Sequence, residues 1–291
     1  MRLDMPEGNL SPTRRAVAAS FFTAGYALAL SPPAQAAITT SAEGLVVEEP
    51  VLDGADGYRL PSYLVRPDAG GRRPAVIVVN EVFGIHEYIK DICRRLGRAG
   101  YVALAPDYFD RAGDPATAAD FNQIRPMIAA THYEQVMGDT QGAIEFLAHN
   151  AHVNAGKLAI TGFCWGGNVV WMAAARFPQI KAATAWYGRL APPNQGDFGY
   201  EPGRPWPLDI AGQLHAPVLG LYGARDQGIT QESVQAMRAA LAGAHDRTHS
   251  EIVVYPDAGH GFHADYRDSY NEADAQDGWR RMLAWFHDHG V

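Results

Sequence analysis

Three residues in this chain have the types and the order needed for acyl-transfer chemistry: Cys164, Asp226 and His260. Cys164 sits in the run Ile160-Thr161-Gly162-Phe163-Cys164-Trp165-Gly166-Gly167. That run reads Gly-x-Cys-x-Gly, the pattern of a nucleophile elbow with a thiol in place of the usual hydroxyl. A short apolar stretch, Lys157 to Thr161, precedes it and reads as a buried strand. A helical stretch, Asn168 to Arg176, follows. Glycines on both sides let the backbone turn sharply without a Cβ clash, so the residue between them stands at the top of a sheet. A small buried cysteine in an ordinary strand-to-helix turn would give the same local pattern, and the partners decide between the two readings. A thiol is a weak nucleophile until a base removes or holds its proton, and the base needs a carboxylate to fix its tautomer. Asp226 follows the apolar run Val218 to Tyr222, and His260 follows Ile252 to Tyr255. The order nucleophile, acid, histidine is the one that elbow hydrolases use. All three residues are expected just past strand carboxyl ends, where open α/β sheets place ligands.

His260, His263 and Asp265 also form His-x-x-His-x-Asp, whose types could ligate a metal. The spacing fits no single helix face, and no metal site or organic cofactor is read from the chain.

The elements that must hold these residues alternate. Leu45 to Leu52 and Tyr58 to Arg66 read as strands joined by a turn at Asp53-Gly54-Ala55-Asp56-Gly57. Ala75 to Val79 is a continuous apolar run after Pro74, as expected of a strand covered on both faces. Helix Glu87 to Ala99, strand Tyr101 to Ala105, helix Tyr133 to Ala148, strand Ala182 to Tyr187 and a closing helix Asn271 to His287 complete the series. This alternation predicts a doubly wound, mostly parallel sheet with an antiparallel N-terminal edge hairpin, in one domain spanning 37–291. The Pro/Gly-rich stretch Ala191 to Trp206 reads as a long exposed loop that bears on substrate access, not as a domain boundary.

Residues 1–36 read as a cleavable export signal. Arg14-Arg15 precede an apolar stretch from Ala16 to Leu30, too short for a membrane span of ~20 residues, and Ala34-Gln35-Ala36 forms a small-residue cleavage site. The paired arginines point to the twin-arginine route, although Val17 stands where that signal usually carries Phe. The expectation is a periplasmic or secreted protein with no stable membrane association after cleavage. The net charge of −8 argues against nucleic-acid partners. The expected partner is a small-molecule ester or lactone, and the expected assembly is a monomer or weak dimer. Of the two cysteines, Cys93 falls on the apolar side of helix Glu87 to Ala99 and reads as core, so no disulfide is expected.

Taken together, the segments Asn80-Glu81-Val82-Phe83-Gly84-Ile85-His86, Ala105-Pro106-Asp107-Tyr108-Phe109, Gly162 to Gly167, Ala185-Trp186-Tyr187-Gly188, Gly223-Ala224-Arg225-Asp226 and Gly259-His260-Gly261-Phe262 resemble the dienelactone hydrolase (carboxymethylenebutenolidase) family. The resemblance implies an α/β-hydrolase fold and a cysteine hydrolase of small lactones or esters with a thioester intermediate. It implies Cys164 as nucleophile with Asp226 and His260, oxyanion donors at the amides of Val82 and Trp165, and Glu81 as a carboxylate resting against the thiol. Arg111, Tyr108, Tyr187 and Phe262 are then the expected substrate contacts. A second family arginine would fall at position 264, where this chain has Ala264, and Arg267 is the nearest substitute. Two other functions stay open on the sequence: a broad carboxylesterase acting on other small esters, and a non-catalytic homologue whose Cys164 senses oxidants.

Overall fold

The computed structural model describes residues 38–244 and 248–291. The predicted export signal, residues 1–36, therefore lies outside the described residues. The strands are β1 (Leu45–Glu48), β2 (Val51–Asp53), β3 (Arg59–Pro67), β4 (Arg73–Val79), β5 (Val102–Pro106), β6 (Val153–Phe163), β7 (Ala182–Trp186), β8 (Val218–Gly223) and β9 (Glu251–Tyr255). The helices are α1 (Glu87–Arg98), α2 (Phe121–Ala130), α3 (Tyr133–His149), α4 (Trp165–Arg176), α5 (Pro207–Ile210), α6 (Gln231–Gly243) and α7 (Glu272–Asp288). The strands form one sheet in the order β1-β3-β5-β4-β6-β7-β8-β9, with β2 also on β3. From β5 through β9 every pairing is parallel. β3 is antiparallel to β1, β2 and β5, so the opening hairpin forms the antiparallel edge that the sequence predicts.

The predicted strand Leu45 to Leu52 is divided. Pro50 has no N–H to give to a ladder, and the chain steps out at Glu49-Pro50 before pairing again. The Pro50 carbonyl accepts instead from Ser62 Oγ at 2.6 Å, which pins the break against β3.

The sheet is covered on both faces, and β4 records this residue by residue. Ala75, Ile77 and Val79 belong to one core cluster, together with side chains from α3, α4 and α6. Val76 and Val78 belong to the other, with side chains from α1 and α7. A strand buried on both sides needs no polar face, which is why β4 is apolar throughout. Cys93 of α1 is fully buried in the second cluster and is a free thiol, as its helical position predicts.

Helix α2 lies where the sequence reading proposed no element. Its interior Pro126 hides the helical pattern, since proline removes one intrahelical hydrogen bond. The Asp120 carboxylate offsets this at the start by accepting from the amides of Asn122 (2.8 Å) and Gln123 (3.2 Å). From Ala191 to Trp206 the chain runs without helix or strand, and it packs near α2 through Phe121 and Phe198, whose rings are 5.2 Å apart.

Candidate active site

β4, β6, β8 and β9 end at the same edge of the sheet, with Val79 opposite Gly162 and Gly223 opposite Tyr255. Glu81, Cys164, Asp226 and His260 all lie just past these ends, so four loops converge on one spot. Cys164 caps α4 with φ 55° and ψ −113°, a conformation that costs a non-glycine residue energy and persists only where its surroundings enforce it. Here the glycines enforce it. A Cβ on Gly166 would come within 2.5 Å of the Val79 carbonyl oxygen, and one on Gly188 within 2.2 Å of the Gly167 carbonyl carbon. Only a glycine-lined crossing lets the elbow sit this low against β4 and the end of β7. The Cys164 amide donates to the Trp186 carbonyl at 3.0 Å and fixes the turn from the other side.

The thiol is buried, and His260 Nε2 lies 3.2 Å from its Sγ. On the other side of the ring, Nδ1 is 2.8 Å from Asp226 Oδ2. Asp226 Oδ1 accepts from the amides of Gly228 (2.7 Å) and Ile229 (2.9 Å), so the carboxylate cannot rotate away from the imidazole. Burial on its own would lower the imidazole pKa, but the charges of Asp226 and Cys164 and their hydrogen bonds raise it to about 10. The protonated ring is therefore the favoured form beside this thiol and carboxylate.

Val82 shares a core cluster with Cys164, and Trp165 follows it in the chain. Trp165 opens α4, so its amide comes before the first intrahelical acceptor, at the positive end of the helix dipole. The Val82 amide makes no hydrogen bond among the described residues. Both residues line a cavity of about 320 Å³ that is closed on its far side by α2 and the Ala191–Trp206 loop.

Glu81 is placed differently from the expectation. Its carboxylate is fully buried, but among the described residues no hydrogen bond joins it to the thiol. Tyr266 Oη donates to it, His86 Nε2 lies 3.6 Å away, and Arg267 is 3.5 Å away. Burial raises its pKa, but Arg267, His86 and Tyr266 outweigh that and hold it down at about 2. Arg267 also lies close enough to Cys164 for the two charges to interact. The residue that the sequence offered only as a substitute for the arginine missing at Ala264 thus pairs with the carboxylate and interacts with the thiol.

Three expected substrate contacts lie away from the cavity. Arg111 is committed to Asp139, through Nη1 at 2.5 Å and Nη2 at 2.8 Å, and its guanidinium stacks 4.1 Å from the Tyr58 ring centre. Tyr108 is buried behind Trp165 and shares a hydrogen bond with Thr140 Oγ1 at 3.0 Å. Phe262 is buried against Tyr187, Trp186 and Tyr255. In each case a neighbouring carboxylate, hydroxyl or ring claims the side chain, which spacing alone does not reveal. Tyr187 is at the site, its ring 5.2 Å from that of His260. The metal-type cluster is dispersed as well: His263 Nδ1 pairs with Tyr88 Oη at 2.6 Å, and Asp265 pairs with Arg95 at 2.5 Å. Sequence reading missed Asn168, Arg204 and Trp206 of the cavity wall. The loop that carries the last two was flagged, but nothing in it marked them.

A parallel, doubly wound sheet with a strained elbow residue, a histidine and a carboxylate past its strand ends defines an α/β-hydrolase. Among such proteins the chain resembles one group throughout: residues 60–290 match the model of the dienelactone hydrolase family, and this chain belongs to that family. It is 43% identical over 281 residues to a Methylorubrum extorquens protein named "Putative carboxymethylenebutenolidase", covering 96% of this chain and 94% of that one. A Bradyrhizobium protein named "Probable 2-oxo-3-(5-oxofuran-2-ylidene)propanoate lactonase" is 33% identical, with 81% of this chain and 92% of that one covered. Among solved structures, a "Putative Dienelactone Hydrolase" from Klebsiella pneumoniae matches with a TM-score of 0.77 at 45% identity, over 84% of this chain and 98% of that one.

Proposed function

We propose that this protein hydrolyses carboxylic esters or lactones with Cys164 as nucleophile. The observation that carries the reading is the continuous line Sγ–Nε2 (3.2 Å) and Nδ1–Oδ2 (2.8 Å), which joins Cys164, His260 and Asp226 at the elbow. With the proton of the thiol held on His260 Nε2, the sulfur attacks the substrate carbonyl carbon. As the C–S bond forms, the carbonyl π electrons move to oxygen, and the amides of Val82 and Trp165 donate to that oxyanion. One such donor is worth roughly 3 kcal/mol of barrier. Collapse breaks the C–O bond, and the imidazolium gives its proton to the leaving alkoxide. Water, with His260 again as base, then cleaves the thioester and returns the thiol. Asp226 holds Nδ1–H throughout and stabilises the imidazolium. The names carried by the relatives place small lactones among the first substrates to try. We further propose that Glu81 acts on the thiol through Arg267, because the carboxylate neutralises a cation whose charge interacts with Cys164, and that the protein is exported by its twin-arginine segment.

The test is a panel of small esters and lactones, run on purified protein. Cys164→Ala and His260→Ala should abolish turnover, and Asp226→Asn should cut kcat by roughly 10⁴-fold. Near-normal turnover by Cys164→Ala would end the proposal. Near-normal turnover by Asp226→Asn would mean that another carboxylate orients the base.

A further inference from the structure

The cavity beside Val82 and Trp165 is larger than the scissile group requires. Its volume of about 320 Å³ falls in the range of pockets that enclose a ligand the size of a drug. Its wall includes Val82 and Trp165 but not Cys164 or His260, so it adjoins the thiol, and a substrate whose carbonyl oxygen rests on the two amides would extend an arm into this space. The walls are aromatic on several sides: Trp165 from the elbow, and Phe198 and Trp206 from the loop. Arg204 also lines the cavity, mostly buried, with its guanidinium 4.2 Å from the Trp206 ring centre and 5.7 Å from that of Tyr133. One of its amine nitrogens donates to Asn168 Oδ1, a neutral acceptor, and its Nε has no hydrogen-bond partner among the described residues.

Several buried or half-buried arginines here hold carboxylates, Arg111 with Asp139, Arg267 with Glu81, and Arg95 with Asp91 and Asp265, whereas Arg238 gives to the Ile252 carbonyl. Arg204 forms no ion pair among the described residues. Of the two acids that share its cavity, Glu201 is close enough for its charge to act on Arg204 without forming an ion pair with it, and both acids also hold other groups. Glu201 accepts from the Tyr133 amide at 3.2 Å and lies 3.5 Å from His132, and Asp197 accepts from Asn194 Nδ2 at 3.0 Å. A desolvated guanidinium stacked on an aromatic face, with donors still to give, is suited to a planar oxyanion held against a ring.

We propose that this cavity is a subsite for an extended, flat arm of the ester: an aromatic ring seated between Trp165, Phe198 and Trp206, with an anionic group on its far side bonded to Arg204. The proposal rests on the ester-hydrolase reading above and names its substrate class, aromatic esters bearing a carboxylate on the side away from the scissile bond. Asn168 holds Arg204 by its oxygen and the Arg189 carbonyl by its nitrogen (2.7 Å). It thereby fixes the loop to the helix that carries the nucleophile, and so fixes the distance between the two ends of the substrate.

The test has a binding arm that does not depend on turnover. In the full chain carrying Cys164→Ala, calorimetric titration compares 2-naphthoate with the uncharged 2-naphthamide. The expected result is at least tenfold tighter binding of the acid, a difference erased by adding Arg204→Gln and partly kept by Arg204→Lys. Adding Phe198→Ala instead should weaken both ligands. In the turnover arm, the parent protein is given 6-acetoxy-2-naphthoate, the monomethyl ester of naphthalene-2,6-dicarboxylate, and phenyl acetate. At least one carboxylated naphthalene ester should exceed phenyl acetate tenfold in kcat/KM, and Arg204→Gln should lower that ratio at least tenfold. Equal binding of acid and amide, or an acid preference that survives Arg204→Gln, overturns the subsite. Discriminating binding with no hydrolysis of any ester overturns the ester-hydrolase reading and leaves the subsite standing. Ester hydrolysis without discrimination does the reverse.

Discussion

Replacing Glu81 by Gln keeps the shape of the side chain and removes one buried charge. Arg267, His86 and Tyr266 hold the carboxyl at about 2 against an ordinary value of 4.5. That difference corresponds to about 3 kcal/mol of folding stability at neutral pH. Because the folded value is the lower one, the contribution is complete above pH 4.5 and is lost as the pH falls through about 2. The amide also takes a carboxylate away from Arg267, whose side chain is only 8% exposed, and a buried charge stripped of its counter-charge costs about 3–5 kcal/mol. For a domain of this size the expected loss is about 6–15 °C in Tm at pH 7. At pH 3 the difference between parent and variant should shrink to roughly half, since the unfolded parent is then largely protonated. The same change leaves the Arg267 charge less neutralised beside Cys164, which favours the thiolate, so iodoacetamide should label Cys164 faster at neutral pH. Differential scanning calorimetry from pH 3 to 7 and timed labelling with peptide mass mapping read the two effects. A Tm within about 1 °C of the parent at pH 7 would refute the reasoning about the cage, and an unchanged labelling rate would refute the coupling to the thiol.

Gly188→Ala should prevent a native elbow, because its Cβ would lie 2.3 Å from the Asn168 nitrogen in rigid backbone; loss of soluble protein, or a Tm lower by about 10 °C or more, checks this. His260 has its pKa raised to about 10, so its contribution to stability is complete below about 6.5 and is lost as the pH rises through about 10. Urea melts of parent and His260→Gln should therefore differ most near pH 6 and converge above pH 10. N-terminal sequencing of the exported protein should find a start close to Ala37, and export that persists in Arg14→Lys with Arg15→Lys would count against the twin-arginine route.

The placement of Cys164, Asp226 and His260 past strand ends is legible in the sequence because each obeys a local rule. Glycines mark the turn, apolar runs mark the strands, and a parallel sheet places whatever follows its strands at one edge. The sequence series of strands survives almost unchanged in the sheet, and the exceptions have local causes that composition obscures. Pro50 splits one strand, and Pro126 hides one helix. The pairing of Arg111 is hidden for a different reason: its partner Asp139 lies on α3, far along the chain, and no spacing rule connects them.

By itself, then, the sequence determined the fold class, the order of Cys164, Asp226 and His260 and the turn that presents Cys164. These depend on period, glycine placement and chain order, all of which are short-range properties. Only the tertiary structure decided which charges meet. Glu81 faces Arg267, His86 and Tyr266 rather than the thiol, and Arg204 reaches Asn168 across a cavity built by a loop without regular structure. Buried charges choose partners by distance and desolvation, and residues far apart in the chain become neighbours only once the sheet and its loops have closed around them.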